Sequence, residues 1–317
     1  MSSTLSGIFG GQPSTTTPTP GPWDSPQVLM RKRVPKLLAI GRHHGFKVQS
    51  SKFKVVVPDK VRWNAVMIFP RWFLAVFGCA TFSAHLHGVE VVELEGAKYQ
   101  VFRVEKADWP KLQLAWLGAD GKPLLDFNGL KRALAAKGRN IVFATNAGIY
   151  ERGPKPCGLT ICDSKELVPL NLRPGEGNFY LKPNGVFFLD DQTGPGVMEA
   201  AEFARSGLKP RLATQSGPLM LRQGVIHPAF NANSPNKRLR NGVGVRKSDG
   251  QILFVMSDRD DSIKGRVTFH QFSRLFLHLG CQDALFLDGD ISTMLVNPKP
   301  DANFLSNTFA AMFFVAE

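Results

Sequence analysis

An apolar run from Ala284 to Leu287 passes directly into Asp288, Gly289, Asp290, Ile291, Ser292 and Thr293. Four apolar residues suit a strand covered on both faces, and the Asp-Gly step is a turn signal that leaves carboxylates projecting at the strand's end. A carboxylate so placed can serve as nucleophile, as base, or as electrostatic stabiliser of a cationic centre. Two further segments share this build. Ile141 to Ala144 ends in Thr145, Asn146, Ala147 and Gly148, and Leu212, Ala213 and Thr214 are followed by Gln215, Ser216, Gly217 and Pro218. Any one of these is by itself an ordinary hairpin or strand-to-helix turn. Three in one chain point to strand ends that carry amide, hydroxyl and carboxyl groups toward chemistry.

The elements that position them are mostly short strands and turns. Tyr99 to Val104 and Leu112 to Leu117 read as an opening hairpin or meander, followed by a helix from about Phe127 to Lys137 that Gly138 terminates. Pro183, Asn184 and Gly185 read as the turn of a hairpin joining Asn178–Leu181 to Val186–Leu189, and another strand pair flanks Ser248, Asp249 and Gly250. Thr268 and Gln271 form a capping box that opens a second helix. Phe269, Phe272, Leu275, Phe276 and Leu279 recur on its face, and Gly280 stops it before the Asp288 strand. These features predict a single α+β domain over residues 89–317, with a mixed, largely antiparallel sheet and a few packed helices.

Composition bounds the rest. The chain has 317 residues and 43% hydrophobic content, which excludes disorder throughout. The formal charge is +13, but residues 1–88 hold 11 Lys/Arg against 2 Asp/Glu, and the remainder 28 against 24. Most of the excess lies outside the part that looks foldable, so no nucleic-acid partner is expected. Residues 1–66 open with Ser, Thr, Gly and Pro and bury too little apolar surface to offset chain entropy, so they are expected to be disordered or a mis-assigned leader. Residues 67–88 contain a 13-residue apolar stretch, Trp72 to Ala84, behind basic residues. That is short for a membrane span of about 20 and fits the core of a signal peptide, with translation starting near Met67 and cleavage after Ala80, Ser83 or Ala84. A cytoplasmic tail before a signal anchor and a buried segment of the fold are the alternatives. Periplasmic or secreted location follows, with no stable membrane span after cleavage. The three cysteines beyond the leader, Cys157, Cys162 and Cys281, cannot form a complete disulfide framework, and Cys157 with Cys162 lacks a matching pair for zinc.

Asn146, Ala147, Gly148, Ile149 and Tyr150 resemble the Asn-Gly-Gly-Phe-Phe signature of the phosphodiester glycosidase family, which includes the mannose 6-phosphate uncovering enzyme and many exported bacterial proteins. Gln215 to Leu219, with Gly224, is similar to its Ser-Gly-Gly-Pro hairpin, Arg240 to Val245 to its Arg-Thr-Ala-Ile-Gly strand, and Leu287 to Ser292 to its Leu-Asp-Gly-Gly-Gly-Ser motif. The order matches, from Ile141 to Thr293. The chain departs at Ala147 and at Asp290, where the family has small residues; an anionic side chain there alters the charge of the pocket.

The resemblance implies hydrolysis of a sugar 1-phosphodiester in a phosphorylated glycan; no cofactor is expected and no residue is assigned as a metal ligand. Breaking the bond from anomeric carbon to oxygen builds positive charge on the ring and negative charge on the departing phosphate. Asp288 then faces the anomeric carbon, Arg240 holds phosphate oxygens, and Asn146 donates to substrate. Gly148, Gly217 and Gly289 let backbone amides approach, while Gln215, Ser216, Asp290, Ser292 and His227 complete the candidate binding set. Blander roles stand beside these: Arg240 pairing with a strand-end carboxylate, Ser292 capping a turn, and His227 satisfied within a loop. Asp258 to Asp261 has hard-cation ligand types and reads more simply as an exposed charged turn. A non-catalytic module that binds phosphoglycan or cell-wall polymer is the rival reading, and a basic cytoplasmic nucleic-acid binder is a third.

Overall fold

The computed structural model describes residues 88–304 and 307–317. The expectations for 1–66 and for 67–87 lie outside the described residues. Every strand pairing among the described residues is antiparallel, and the strands fall into three main sheets with a few helices, an α+β architecture. A seven-stranded sheet runs Glu90–Leu94, Ala97–Val104, Gln251–Ser257, Asn241–Arg246, Asp283–Asp288, Leu219–Arg222 and Val225–Ile226 in spatial order. A five-stranded sheet carries Leu212–Ser216 at its centre, and a four-stranded sheet carries Ile141–Asn146 between Met294–Val296 and Met312–Ala316.

Period-two alternation explains how the sheets meet. Phe102 and Phe254 point from the seven-stranded sheet, Phe143 and Phe313 from the four-stranded, and Phe187 from the five-stranded, all with essentially no exposure. Phe102 stacks on Phe143 at 4.0 Å, Phe254 lies tilted against Phe313 at 5.0 Å, and Phe187 meets Phe313 edge-on at 5.4 Å, so one aromatic core joins all three sheets. On the opposite face of the seven-stranded sheet lies the Phe269–His278 helix, burying Phe272, Leu275 and Phe276 against Val101, Val255 and Phe286. Its start is the expected capping box: the Thr268 hydroxyl accepts from the Gln271 amide, and the Gln271 side chain accepts from the Thr268 amide, both at 3.1 Å. The first helix, Phe127–Ala135, begins on Asp126, whose carboxylate accepts from the Gly129 amide.

Two expected pairings are replaced. Asn178–Tyr180 is a 3-10 turn, not a strand, because the Asn184 side-chain amide donates back to the Phe179 carbonyl and closes the loop. Gly185–Asp190 pairs instead with Gly194–Glu199 and Leu212–Ser216. Likewise Ala97–Val104 pairs with Glu90–Leu94, and Gln113–Ala115 crosses to the Met312–Ala316 strand, the 3-10 segment Lys106–Lys111 turning the chain between sheets. The Asp258–Asp261 turn is exposed at Arg259 and Asp260, but Asp258 is buried and paired with Lys98 at 2.9 Å.

Candidate active site

The three strand ends singled out in the sequence belong to three different sheets, and they converge. Ile149, just past the Asn146 strand, donates its amide to the Ser216 hydroxyl, and that hydroxyl donates to the Leu287 carbonyl at 3.1 Å. Thr214 donates to the Ala147 carbonyl at 2.7 Å. Gly148 (φ +142°) runs so close to Thr214 and Ser216 that a Cβ would sit 3.3 Å from each; the conformation and the contact both call for glycine.

Asn146 is buried, its side-chain amide donating to the Ser292 hydroxyl at 3.1 Å and accepting from the Asn241 amide at 3.0 Å. Asn241 also donates to the Thr145 hydroxyl at 2.9 Å. The Asn241 amide oxygen is buried and has no hydrogen-bond partner, an open acceptor in the wall of the site. Asn241 stands opposite Asp288 in the sheet, at a register shift that leaves Leu287 unpaired between Phe286 and Asp288. Such bulges re-aim side chains at sheet ends. Sequence reading passed over Asn241, Thr145 and Tyr150 as site residues, although all three lie inside or next to its quoted motifs.

Asp288 is half-buried, its carboxylate accepting the Gly289 amide at 2.7 Å. Burial pushes its pKa up to about 6, the Gly289 bond working against that and the Asp290 charge adding to it. Its charge in turn helps burial raise the Tyr150 and Cys157 values, which places those groups around it. All three described cysteines are free, and burial pushes each thiol up to about 12. The chain leaves the strand at Asp288, so Asp290 does not extend beside it. Asp290 instead accepts the Leu239 amide at 3.1 Å and faces Arg238 and Arg266 at 3.4 and 3.7 Å.

The other expected residues make their contacts within the protein. Gln215 accepts from the Leu159 and Asn171 amides and donates to the Asn171 carbonyl, tying down the 157–171 segment. Gly217 packs where a Cβ would meet the Asn184 Cβ and the Phe179 carbonyl at 2.8 Å. His227 is buried with both ring nitrogens engaged: Nδ1 accepts the Ala229 amide, and Nε2 donates to the Lys182 carbonyl. Burial lowers its pKa, which fits a neutral ring. Arg240 points to the helix side of the sheet. Its guanidinium donates to the Val267 and Asn236 carbonyls and lies 3.6 Å over the Phe269 ring. The charges acting on it are Asp290 and Arg238.

Three strand ends from three sheets thus gather around a poorly solvated carboxyl in an antiparallel α+β domain, the arrangement of a candidate carboxylate-bearing site. The phosphodiester glycosidase family model matches residues 139–315, and the chain belongs to the phosphodiester glycosidase family. It is also 32% identical over 186 residues to the uncharacterized protein YigE of Escherichia coli K12, covering 58% of this chain and 69% of that one. Among solved structures it is similar to the catalytic domain of zebrafish N-acetylglucosamine-1-phosphodiester alpha-N-acetylglucosaminidase, auto-inhibited by its pro-peptide. That match has a TM-score of 0.49 and 14% identity, over 72% of this chain and 81% of that chain. A hypothetical protein from Synechocystis matches with a TM-score of 0.44 and 14% identity, over 72% of this chain and 61% of that chain.

Proposed function

We propose that the protein is an exported hydrolase that cleaves a sugar 1-phosphodiester in a phosphorylated glycan or envelope polymer, with Asp288 facing the anomeric carbon. The observation that carries this reading is the Asp288 carboxyl, held in a poorly solvated position where three strand ends meet, in a chain of this family. Export rests on the apolar segment after Met67.

The bond from anomeric carbon to oxygen breaks, and its electron pair leaves on the phosphomonoester. Phosphate departs more readily than an alcohol, so the leaving group needs little protonation and one carboxylate suffices. Asp288 in its ionised form stabilises the developing ring cation or attacks it, and water completes the substitution. A carboxylate with few competing donors is more effective in either role than a solvated one. The bonded pair Asn146 and Ser292 and the open acceptor on Asn241 fix the wall against which sugar hydroxyls are placed.

The test is release of phosphomonoester and free sugar from a panel of sugar 1-phosphodiesters, including N-acetylglucosamine 1-phosphate esters and nucleotide sugars, by wild type and Asp288→Asn. Turnover lost in the variant supports the reading. Asp288→Asn turning over at the wild-type rate would sink it. One observation favours the second reading, a glycan-binding module: Ser216, Gln215 and the Gly289 amide spend their hydrogen bonds inside the protein. Affinity for phosphoglycan without turnover, equal in both proteins, would establish that module.

A further inference from the structure

The Arg240 side chain opens onto a cavity of about 100 Å³ lined by Phe230, Ser234, Asn236, Phe269 and His270. Arg240 is only 3% exposed and, among the described residues, forms no salt bridge; its guanidinium donates to the Val267 and Asn236 carbonyls. A buried cation held only by neutral acceptors is costly, and burial alone accounts for most of the lowering of its pKa to about 10. The sequence nonetheless builds a support for it. His227, Phe230 and Phe269 stack at 4.8 Å spacings, with the guanidinium lying on the last ring.

A second feature points to the same ligand class. Phe269 and His270 are the first two residues of a ten-residue helix, and its capping box occupies the Gln271 amide. The two preceding amides are the ones a helix start ordinarily offers to an anion, with the positive end of the helix dipole behind them. Among the described residues, Arg240 is the one charged residue in the cavity's lining, and Asp290, whose charge acts on it, is itself paired with Arg238 and Arg266.

We infer that this cavity is an anion subsite, separate from Asp288, that receives a phosphoryl group of a phosphorylated glycan. Its size admits one such group with its first substituent. The inference rests on the proposed function for the source of the phosphate, while the existence of the site does not. Arg240 is next to Asn241 in the chain, and Asn241 stands opposite Asp288. The two Cα atoms are therefore within roughly 9 Å, and the side chains diverge to opposite faces of the sheet end. That separation suits a neighbouring phosphate in the same polymer; a released phosphomonoester is the other source of the same chemistry.

The full chain is titrated with inorganic phosphate by calorimetry, alongside Ala229→Glu, which places a carboxylate at the exposed rim, Arg240→Lys, and Asp288→Asn. Wild type and Asp288→Asn are expected to bind alike, and Ala229→Glu to bind roughly tenfold more weakly by charge repulsion. Arg240→Lys, which keeps the charge and loses the planar fork, is expected to bind several-fold more weakly. Melting curves establish that each variant is folded. No phosphate binding by folded wild type, or binding lost in Asp288→Asn and kept in Ala229→Glu, would overturn the site. With a two-repeat phosphodiester substrate, a KM raised by Ala229→Glu relative to the one-repeat substrate identifies the polymer as the source. Equal KM changes with altered product inhibition identify the released phosphomonoester. The phosphate titration needs no turnover, so it stands even if the catalytic reading fails.

Discussion

Replacing Asp288 by Asn removes a charge that the folded protein holds at a cost. The Asp288 pKa rises from an ordinary 3.8 to about 6, chiefly through burial. Two units correspond to about 3 kcal/mol, at ~1.4 kcal/mol per unit. The folded state holds this proton more tightly than the unfolded chain. Below about pH 3.8 both states are protonated and nothing is lost; the penalty grows between about pH 4 and pH 6 and is complete above that. Asparagine keeps an oxygen to accept the Gly289 amide, as Asp288 does now, and carries no charge. At pH 7.5 the variant should therefore be more stable by up to about 3 kcal/mol, a rise of roughly 6–12 °C in Tm for a domain of this size. At pH 3.5 the two proteins should melt together.

Thermal unfolding across that pH range by circular dichroism measures this directly. A Tm for Asp288→Asn that equals or falls below wild type at pH 7.5 would refute the desolvation argument. So would a gain that is the same at pH 3.5. A more stable protein that no longer turns over is the trade between stability and activity expected of a desolvated carboxylate in the proposed catalytic role.

Four further outcomes follow. With a cleaved substrate in hand, kcat/KM should rise with pH through about 6 as Asp288 ionises; a flat profile from pH 5 to 7 would remove the ionised carboxylate from the mechanism. Asn146→Ala strands the buried Ser292 hydroxyl, while the Asn241 amide keeps the Thr145 hydroxyl, and should cost about 1–3 kcal/mol, read by urea denaturation. Gly217→Ala drives a methyl against the Asn184 Cβ and the Phe179 carbonyl and should destabilise by about 1–3 kcal/mol. Thr268→Ala opens the capping box and should cost about 1 kcal/mol, with turnover on a one-repeat substrate retained.

Local patterns carried the fold as far as local physics reaches. The capping box at Thr268, the turn at Asp249 and the apolar strands ending at Asn146, Ser216 and Asp288 are all present in the structure because each depends on neighbours in sequence. Which strand pairs with which is decided at longer range. Asn178–Tyr180 has strand-forming residues, yet a side-chain bond from Asn184 turns it into a helical loop. Gln113–Ala115 leaves its chain neighbour for the Met312–Ala316 strand, where apolar burial is available.

The site was legible in composition but not in aim. Asp288, Asn146, Ser216 and Gly148 converge as their similar strand-end context suggested, because glycine and hydroxyl residues permit the close crossing of three sheets. Arg240 shows what a motif withholds. It precedes Asn241, and adjacent strand residues face opposite sides, so one of the two must look away from the carboxyl. The Asn241 amide goes to Asn146 and Thr145, and Arg240 takes the helix side with Phe269. A residue drawn from the sequence as a phosphate clamp thus turns from Asp288 toward Phe269, where it lines the cavity of the proposed anion subsite.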